Sequence, residues 1–423
     1  MKFLFVHNNF PAQFRNVAVA LGRDPDNQLA AIGAEHSSPV PNVDLRRYHM
    51  PAYDVTATHP FARRFDIECR RAEQVLFAAS ALAASGFTPD LVFAHCGWGE
   101  NIPLRTAFPE ARLVIYCEYF YRSEGQDVHF DLEQGRFGID GLTALHCGNA
   151  STLIALAECD MGISPTKWQR STYPKELQEK IQVVHEGVDL RKIRPDPFAQ
   201  FVLPGGRKLT RDTEVVTFIS RSLEPMRGFH KFLRAAPEIL RARPDAEIVI
   251  VGGEKPSYGP GAPDGGNWKT YCLNEMLPEL DFSRVHFLDR LPYERYLALL
   301  QLSSVHIYLT YPFVLSWSLI EAMAAGCTIV ASDTAPVREV IEDGRNGLLV
   351  PFHDSGAVAE AVIAVLSDPS RYGNLGRAAR QTAAERYDAT VCVPEALRLL
   401  GVPQRYTMAS DVGDRRELHP SPS

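Results

Sequence analysis

Short apolar runs alternate with longer amphipathic stretches along almost the whole chain, and this alternation constrains the fold more than any other feature. Apolar runs of strand length, each followed by a helix-length segment, are the pattern of a parallel α/β sheet whose strands are buried on both faces. In the first half, residues 3–6, 29–32, 91–94, 113–116, 161–163 and 181–184 read as strands, with a long helix over 61–84. A second series follows at 215–219, 248–251, 285–288, 305–309, 328–331 and 348–350, with helices over 229–241, 293–302 and 318–325. Two such series predict two doubly wound, Rossmann-like domains facing across a cleft, with ligands at the carboxyl ends of their strands.

The expected organisation is an N-terminal domain over 1–190, a linker over 191–212, a second domain over 213–388, a helix over 389–402 crossing back to the first domain, and a disordered tail over 403–423. The linker reading rests on Pro195, Pro197, Pro204, Gly205 and Gly206. At 423 residues the chain is long enough for two domains, and its net charge of -7 argues against general nucleic-acid binding. The eight cysteines are scattered with no CxxC pair, which fits a reducing, cytoplasmic setting rather than a zinc ribbon or a disulfide framework. The opening apolar run is too short for a signal peptide, and no stretch approaches the roughly 20 apolar residues of a membrane span.

Three segments carry chemistry. The loop 220–228 holds Arg221 and Arg227 between a strand and a helix. Two permanently charged guanidinium groups suit a diphosphate, and a solvated loop is the alternative. Segment 313–326 also runs from a strand into a helix; Ser318 and Glu321 read as a capping box, with Ser316 and Trp317 just ahead. A helix start there offers free N–H groups to an anion. Gly252 and Gly253 end a strand where bare backbone admits close approach by a phosphate or base.

In sequence order, these pieces together with Asp289-Arg290-Leu291, the helix after Pro292, Glu321 to Gly326, and 332–347 resemble the donor domain of family 4 glycosyltransferases. These are retaining, metal-independent enzymes of the GT-B fold. The likeness covers about a third of the chain closely; the first half matches more loosely, mainly in its strand pattern and in His185-Glu186-Gly187-Val188-Asp189. The resemblance implies that Arg221 and Arg227 bind the donor diphosphate, that Glu321 holds the ribose, and that backbone around Arg290, Leu291 and Pro292 meets the base. It makes the first domain the acceptor side and the second the donor side.

The chain departs from the family at Phe313, where the first glutamate of a Glu-x7-Glu motif is expected. The usual glycine-rich stretch after it reads Val314-Leu315-Ser316-Trp317. Sugar recognition is therefore open. A nucleotide-sugar or glycan binding protein of the same fold, or a nucleotide-sugar epimerase, remains as an alternative to the transferase. The first loop, His7-Asn8-Asn9-Phe10-Pro11, lacks GxGxxG, which argues against a dinucleotide dehydrogenase.

On the acceptor side, His95 and Glu118 end strands, Trp98 is placed to stack on a sugar ring, and Glu100 and Asn8 lie nearby. Each has a structural reading as well: a buried hydrogen-bonded histidine, a core tryptophan, an ion-paired glutamate. Arginine pairs at 46/47, 63/64 and 70/71 read as a solvated face, or as a weak peripheral contact with an anionic lipid or phosphorylated acceptor. No cofactor and no metal are expected beyond the nucleotide-sugar co-substrate. The acceptor class, whether carbohydrate, lipid, protein or small molecule, is open.

Overall fold

The computed structural model describes residues 1–423 except 256, 260 and 404–423, so the tail expected over 403–423 lies, apart from its first residue, outside the described residues. The chain divides into two units. The first comprises Met1–His129, Arg136–Gly187 and the segment from Ala389; the second comprises Phe130–Gly135 and Val188–Asp388.

The first unit is built on a seven-stranded parallel sheet: β1 (Lys2–Val6), β2 (Gln28–Ala34), β3 (Val43–Tyr48), β4 (Leu91–His95), β5 (Arg112–Tyr116), β6 (Met161–Ser164) and β7 (Ile181–Val183). Their order is β3-β2-β1-β4-β5-β6-β7. The order reverses between β1 and β4, which pair with Val6 opposite Ala94. The central strands are buried on both faces, which is why they read as unbroken apolar runs. β3 was not expected from the sequence. It is an edge strand reading Val-Asp-Leu-Arg-Arg-Tyr, and its charges blunt the edge while hiding the strand pattern.

Helices cover both faces of this sheet. Arg63–Ala84 buries Ala72, Val75, Ala79 and Leu82, a spacing that keeps one stripe on the sheet. On the other face Ala389–Leu399 places Ala389, Val393, Ala396 and Leu397 in one cluster with Phe3, Phe5 and Phe14.

The second unit opens with an antiparallel hairpin, β8 (Gln200–Val202) and β9 (Lys208–Thr210). It occupies the segment expected to be a linker. Its Pro-Gly-Gly turn looks like linker punctuation in sequence, but Phe201 and Leu209 are buried in this unit's core, and Arg207 pairs with the buried Glu247. Six parallel strands follow: β10 (Val215–Ser222), β11 (Glu247–Gly253), β12 (Val285–Leu288), β13 (Val305–Tyr308), β14 (Ile329–Ser332) and β15 (Leu348–Val350), in the order β12-β11-β10-β13-β14-β15. Here the order reverses between β10 and β13. Among the described residues no helix is long and apolar enough to cross a membrane.

One core group makes the second unit acid-sensitive. His306 on β13 is fully buried, with Nδ1 2.9 Å from Thr217 Oγ1, which is itself 2.8 Å from Ser303 Oγ. Burial lowers its pKa to about 3. The unfolded chain takes up this proton near pH 6.5 and the folded chain does not. Stability therefore falls as pH drops from about 6.5 toward 3, by about 2 kcal/mol at pH 5 from this group alone. Urea unfolding at pH 7 and pH 5 should show a smaller loss on acidification for His306→Leu than for the parent chain; an unchanged difference would remove His306 from the account.

Candidate functional site

The second unit concentrates its polar chemistry where β10 and β13 end side by side. The β10–β11 register breaks after Ile219 and resumes at Ser222 opposite Gly253, so Ser220 and Arg221 leave the ladder. Ser220 Oγ closes this kink by donating to the Ser222 carbonyl at 2.8 Å. A single turn, Pro225–Arg227, then ends at Gly228 with φ 70°. A Cβ at Gly228 would fall 2.3 Å from Leu309 Cβ, so the close approach to the β13 exit needs glycine.

That approach seats Arg227. Its Nη1 donates to Thr310 Oγ1 at 3.3 Å and lies 3.5 Å from the Val314 carbonyl. The guanidinium carbon is 5.6 Å from the Tyr258 ring centroid and 5.8 Å from that of Phe313. Phe313 is buried, and its ring centroid is 4.9 Å from that of Tyr258. Buried Glu224 fastens the loop carrying Tyr258 by accepting the amides of Ser257 at 2.9 Å and Tyr258 at 3.1 Å. Burial pushes the Glu224 carboxyl above its usual pKa. Arg221 is exposed. A Cβ at Gly253 would lie 3.3 Å from Arg290 Nε, so bare backbone at the end of β11 admits the Arg290 side chain. Leu291 packs on the core, and Pro292 precedes the helix Tyr293–Leu302.

The helix Trp317–Ala325 is capped by Ser316, whose Oγ accepts the Ser318 amide at 3.3 Å. The Ser316 amide donates to Tyr308 Oη at 2.9 Å. The capping box expected at Ser318 and Glu321 is thus not formed. The cap lies two residues earlier, and Glu321 faces another helix, accepting hydroxyls from Tyr293 at 3.0 Å and Tyr296 at 2.7 Å. Burial raises its pKa against the opposing effect of these two bonds.

In the first unit, the β1–β4 junction sets His7 beside His95, with ring centroids 4.9 Å apart. Each Nδ1 accepts the amide two residues on, Asn9 at 2.9 Å and Gly97 at 3.0 Å, which fixes the rings. Burial, and secondarily His95, holds His7 well below the usual histidine range, so it is neutral. His95 Nε2 lies 3.4 Å from Glu118 Oε2, and Gln13 donates to Glu118 Oε1 at 2.9 Å. This pair, a buried imidazole with a half-buried carboxylate, is chemically able to accept or relay a proton.

The remaining acceptor-side candidates part company. Trp98 is 37% exposed, beside Arg71 at 6.0 Å. Glu100 is fully buried and accepts the Tyr48 hydroxyl at 2.6 Å, which makes it part of the interior rather than a group presented at the surface. Asn8 is held through its carbonyl, which accepts from Ser37 Oγ at 3.0 Å. The paired arginines are engaged within the unit: Arg46 with Asp44, Arg64 with Glu68 and Arg70 with Asp66, while Arg47, Arg63 and Arg71 donate to carbonyls.

The structure therefore gathers Arg227 and Phe313 in one place, and His95 with Glu118 in another. Sequence reading missed His7, Gln13, Tyr258, Tyr293, Tyr296 and Thr310. Only His7, at the end of the first strand, carried a usable signal, because neighbouring strand ends share an edge. One trio of metal-capable groups occurs among the described residues, Asp131, Glu133 and His230. Glu133 is already countered by Lys231 and Arg234. Tyr48→Phe, which removes the hydroxyl donor of the buried Glu100 and leaves it the Asn8 amide, should cost about 1–3 kcal/mol in chemical denaturation; a loss under about 0.5 kcal/mol would mean that the Asn8 amide alone satisfies the carboxylate.

Residues 25–193 match the glycosyl transferase family 4 group, and residues 206–382 match glycosyl transferases group 1. The chain is 32% identical over 210 residues to a D-inositol 3-phosphate glycosyltransferase of Nocardia farcinica, covering 49% of this chain and 44% of the relative. It is 29% identical over 239 residues to a phosphatidyl-myo-inositol mannosyltransferase of Mycolicibacterium smegmatis, covering 55% and 54%. The chain spans about half the length of the curated relatives it matches. Among solved structures, a sucrose-phosphate synthase from Thermosynechococcus elongatus superposes with a TM-score of 0.72 at 18% identity, over 95% of this chain and 98% of the other. HepE from Anabaena in complex with UDP gives 0.65 at 16%, over 95% and 100%. At these identities the structural likeness speaks to the fold.

Proposed function

We propose that this chain, which belongs to the family 4-like glycosyltransferases of the GT-B fold, moves a sugar from a nucleoside-diphosphate sugar to an acceptor hydroxyl, with retention at the anomeric carbon and without a metal ion. The observation that carries this reading is the seat of Arg227. A permanently charged group is fixed by Thr310 and Val314 where the β10 and β13 exits meet, beside a capped helix start.

In this proposal Arg227, with the exposed Arg221, neutralises the departing diphosphate. Glu321 takes the ribose hydroxyls. Two tyrosine bonds use about half of a carboxylate's acceptor sites, leaving capacity for the ribose. Gly252, Gly253 and the backbone from Arg290 to Pro292 border the base, and Phe313, Ser316, Trp317 and Ser318 border the phosphates and sugar. The bond from the anomeric carbon to the diphosphate breaks as the bond to the acceptor oxygen forms on the same face, and the leaving phosphate takes the acceptor's proton. On the acceptor side we assign His95, Glu118, Trp98 and Asn8. The named activities of the relatives make a phosphorylated polyol, free or lipid-linked, the first acceptor class to try, and the UDP bound by HepE makes UDP the first nucleotide.

Phe313 supports a second reading. Its buried ring, packed toward Arg227, leaves no carboxylate where the family places one for the sugar. A protein that binds the nucleotide sugar without transferring it would tolerate this.

Calorimetric titration with UDP, GDP and their sugars, followed by product analysis with phosphorylated polyol acceptors, separates these readings. The proposal predicts that one nucleotide binds, that Arg227→Ala weakens it at least about tenfold, the worth of one charge-assisted hydrogen bond, and that the product keeps the donor's anomeric configuration. Tight binding without consumption across the acceptor panel would favour the binding protein. Absence of binding to every nucleotide would overturn both.

A further inference from the structure

The segment Phe130–Gly135 lies in the chain between β5 and the helix Ile139–Cys147, both in the first unit, yet it packs as part of the second unit. Phe130 sits against Tyr311 and Phe352, with ring centroids 5.2 and 5.3 Å away. Asp131, buried, accepts through a single oxygen, Oδ2, from two sources: His230 Nε2 at 2.9 Å and Tyr311 Oη at 2.9 Å. Its other oxygen accepts the Glu133 amide at 3.2 Å. Glu133 in turn pairs with Lys231 and Arg234 on the helix that carries His230.

The two groups joined by Asp131 flank Arg227. His230 lies three residues after it, beyond the Gly228 turn. Tyr311 directly follows Thr310, the hydroxyl partner of Arg227, and the Tyr311 amide donates to the Met226 carbonyl at 3.0 Å. The loop that presents Arg227 and the loop that receives it thus share one buried carboxylate.

From this juxtaposition we infer that Asp131 is a positioning residue for the donor site: by bridging His230 and Tyr311 it sets the distance between Arg227 and the β13 exit, and with it the affinity for a nucleoside diphosphate. The inference rests on the proposed reading of that site. Asp131 touches no reacting atom; it acts through Arg227. A carboxylate suits the position because one oxygen must accept two donors at once while the other caps the amide of its own segment.

The test is titration of the full chain with UDP and GDP, using whichever nucleotide the parent binds. Asp131→Ala should weaken that binding about tenfold or more, while Asp131→Asn, which keeps an acceptor oxygen, should recover most of the loss. In an Arg227→Lys background the effect of Asp131→Ala should shrink to under about twofold, because the group it acts through has already been displaced. Should Asp131→Ala not fold, Tyr311→Phe, which removes one of the two bonds, carries the same expectation at a smaller size, about threefold. A folded Asp131→Ala or Tyr311→Phe chain that binds as the parent does, or an Asp131→Ala loss that persists in full in the Arg227→Lys background, overturns the inference while leaving the donor-site reading intact. A parent chain that binds neither nucleotide removes that reading and this inference together.

Discussion

Everything distinctive in this molecule follows from burying parallel strands on both faces. Strands of that kind cannot turn back on their neighbours, so crossover segments, mostly helical, carry the chain across, and the strand order must reverse somewhere to cover both faces. In the first unit the reversal puts the end of β1 against the end of β4, and His7 meets His95. In the second it puts the end of β10 against the end of β13, and Arg227 meets Thr310 and Val314. These two polar clusters lie at the ends of the sheets rather than along them. They gather where two strand exits leave backbone and side chains uncovered by a following helix.

The geometry at the β10 exit shows how local irregularity serves that placement. The register break after Ile219 takes Arg221 out of the pairing ladder, and the left-handed Gly228 brings the turn onto Leu309. Phe313 and Tyr258 then pack toward the guanidinium of Arg227. The charge of this arginine is felt by the buried Glu224 carboxylate, and its orientation is supported by the faces of two rings.

The strands that pack on both faces were legible because burial forces them to be apolar, and several helices, such as those over 61–84 and 229–241, because their apolar stripe repeats at helical spacing. Polar or exposed elements were not. β3 carries its charges on an edge, and the hairpin β8–β9 hides behind the same Pro and Gly residues that mark a linker. The arginines and Glu321 stood out by type and order along the chain. Their partners did not: Tyr293, Tyr296 and Tyr258 come to the site through tertiary packing, which no local pattern reports. Ser318 and Glu321 matched a capping box in spacing, yet Ser316 caps the helix because the Tyr308 hydroxyl holds its amide in place. The segment at Asp131 was invisible for a further reason: its partners lie about a hundred residues away or more in the chain.

The most direct test of the central claim is a crystal structure with UDP or GDP bound. Diphosphate oxygens are expected within hydrogen-bonding reach of Arg227 and of the helix start at Ser316 to Ser318, with the ribose hydroxyls on Glu321 beside Tyr293 and Tyr296. A nucleotide seated elsewhere, with Arg227 still turned to Thr310 and Glu321 bonded to its two tyrosines alone, would contradict it.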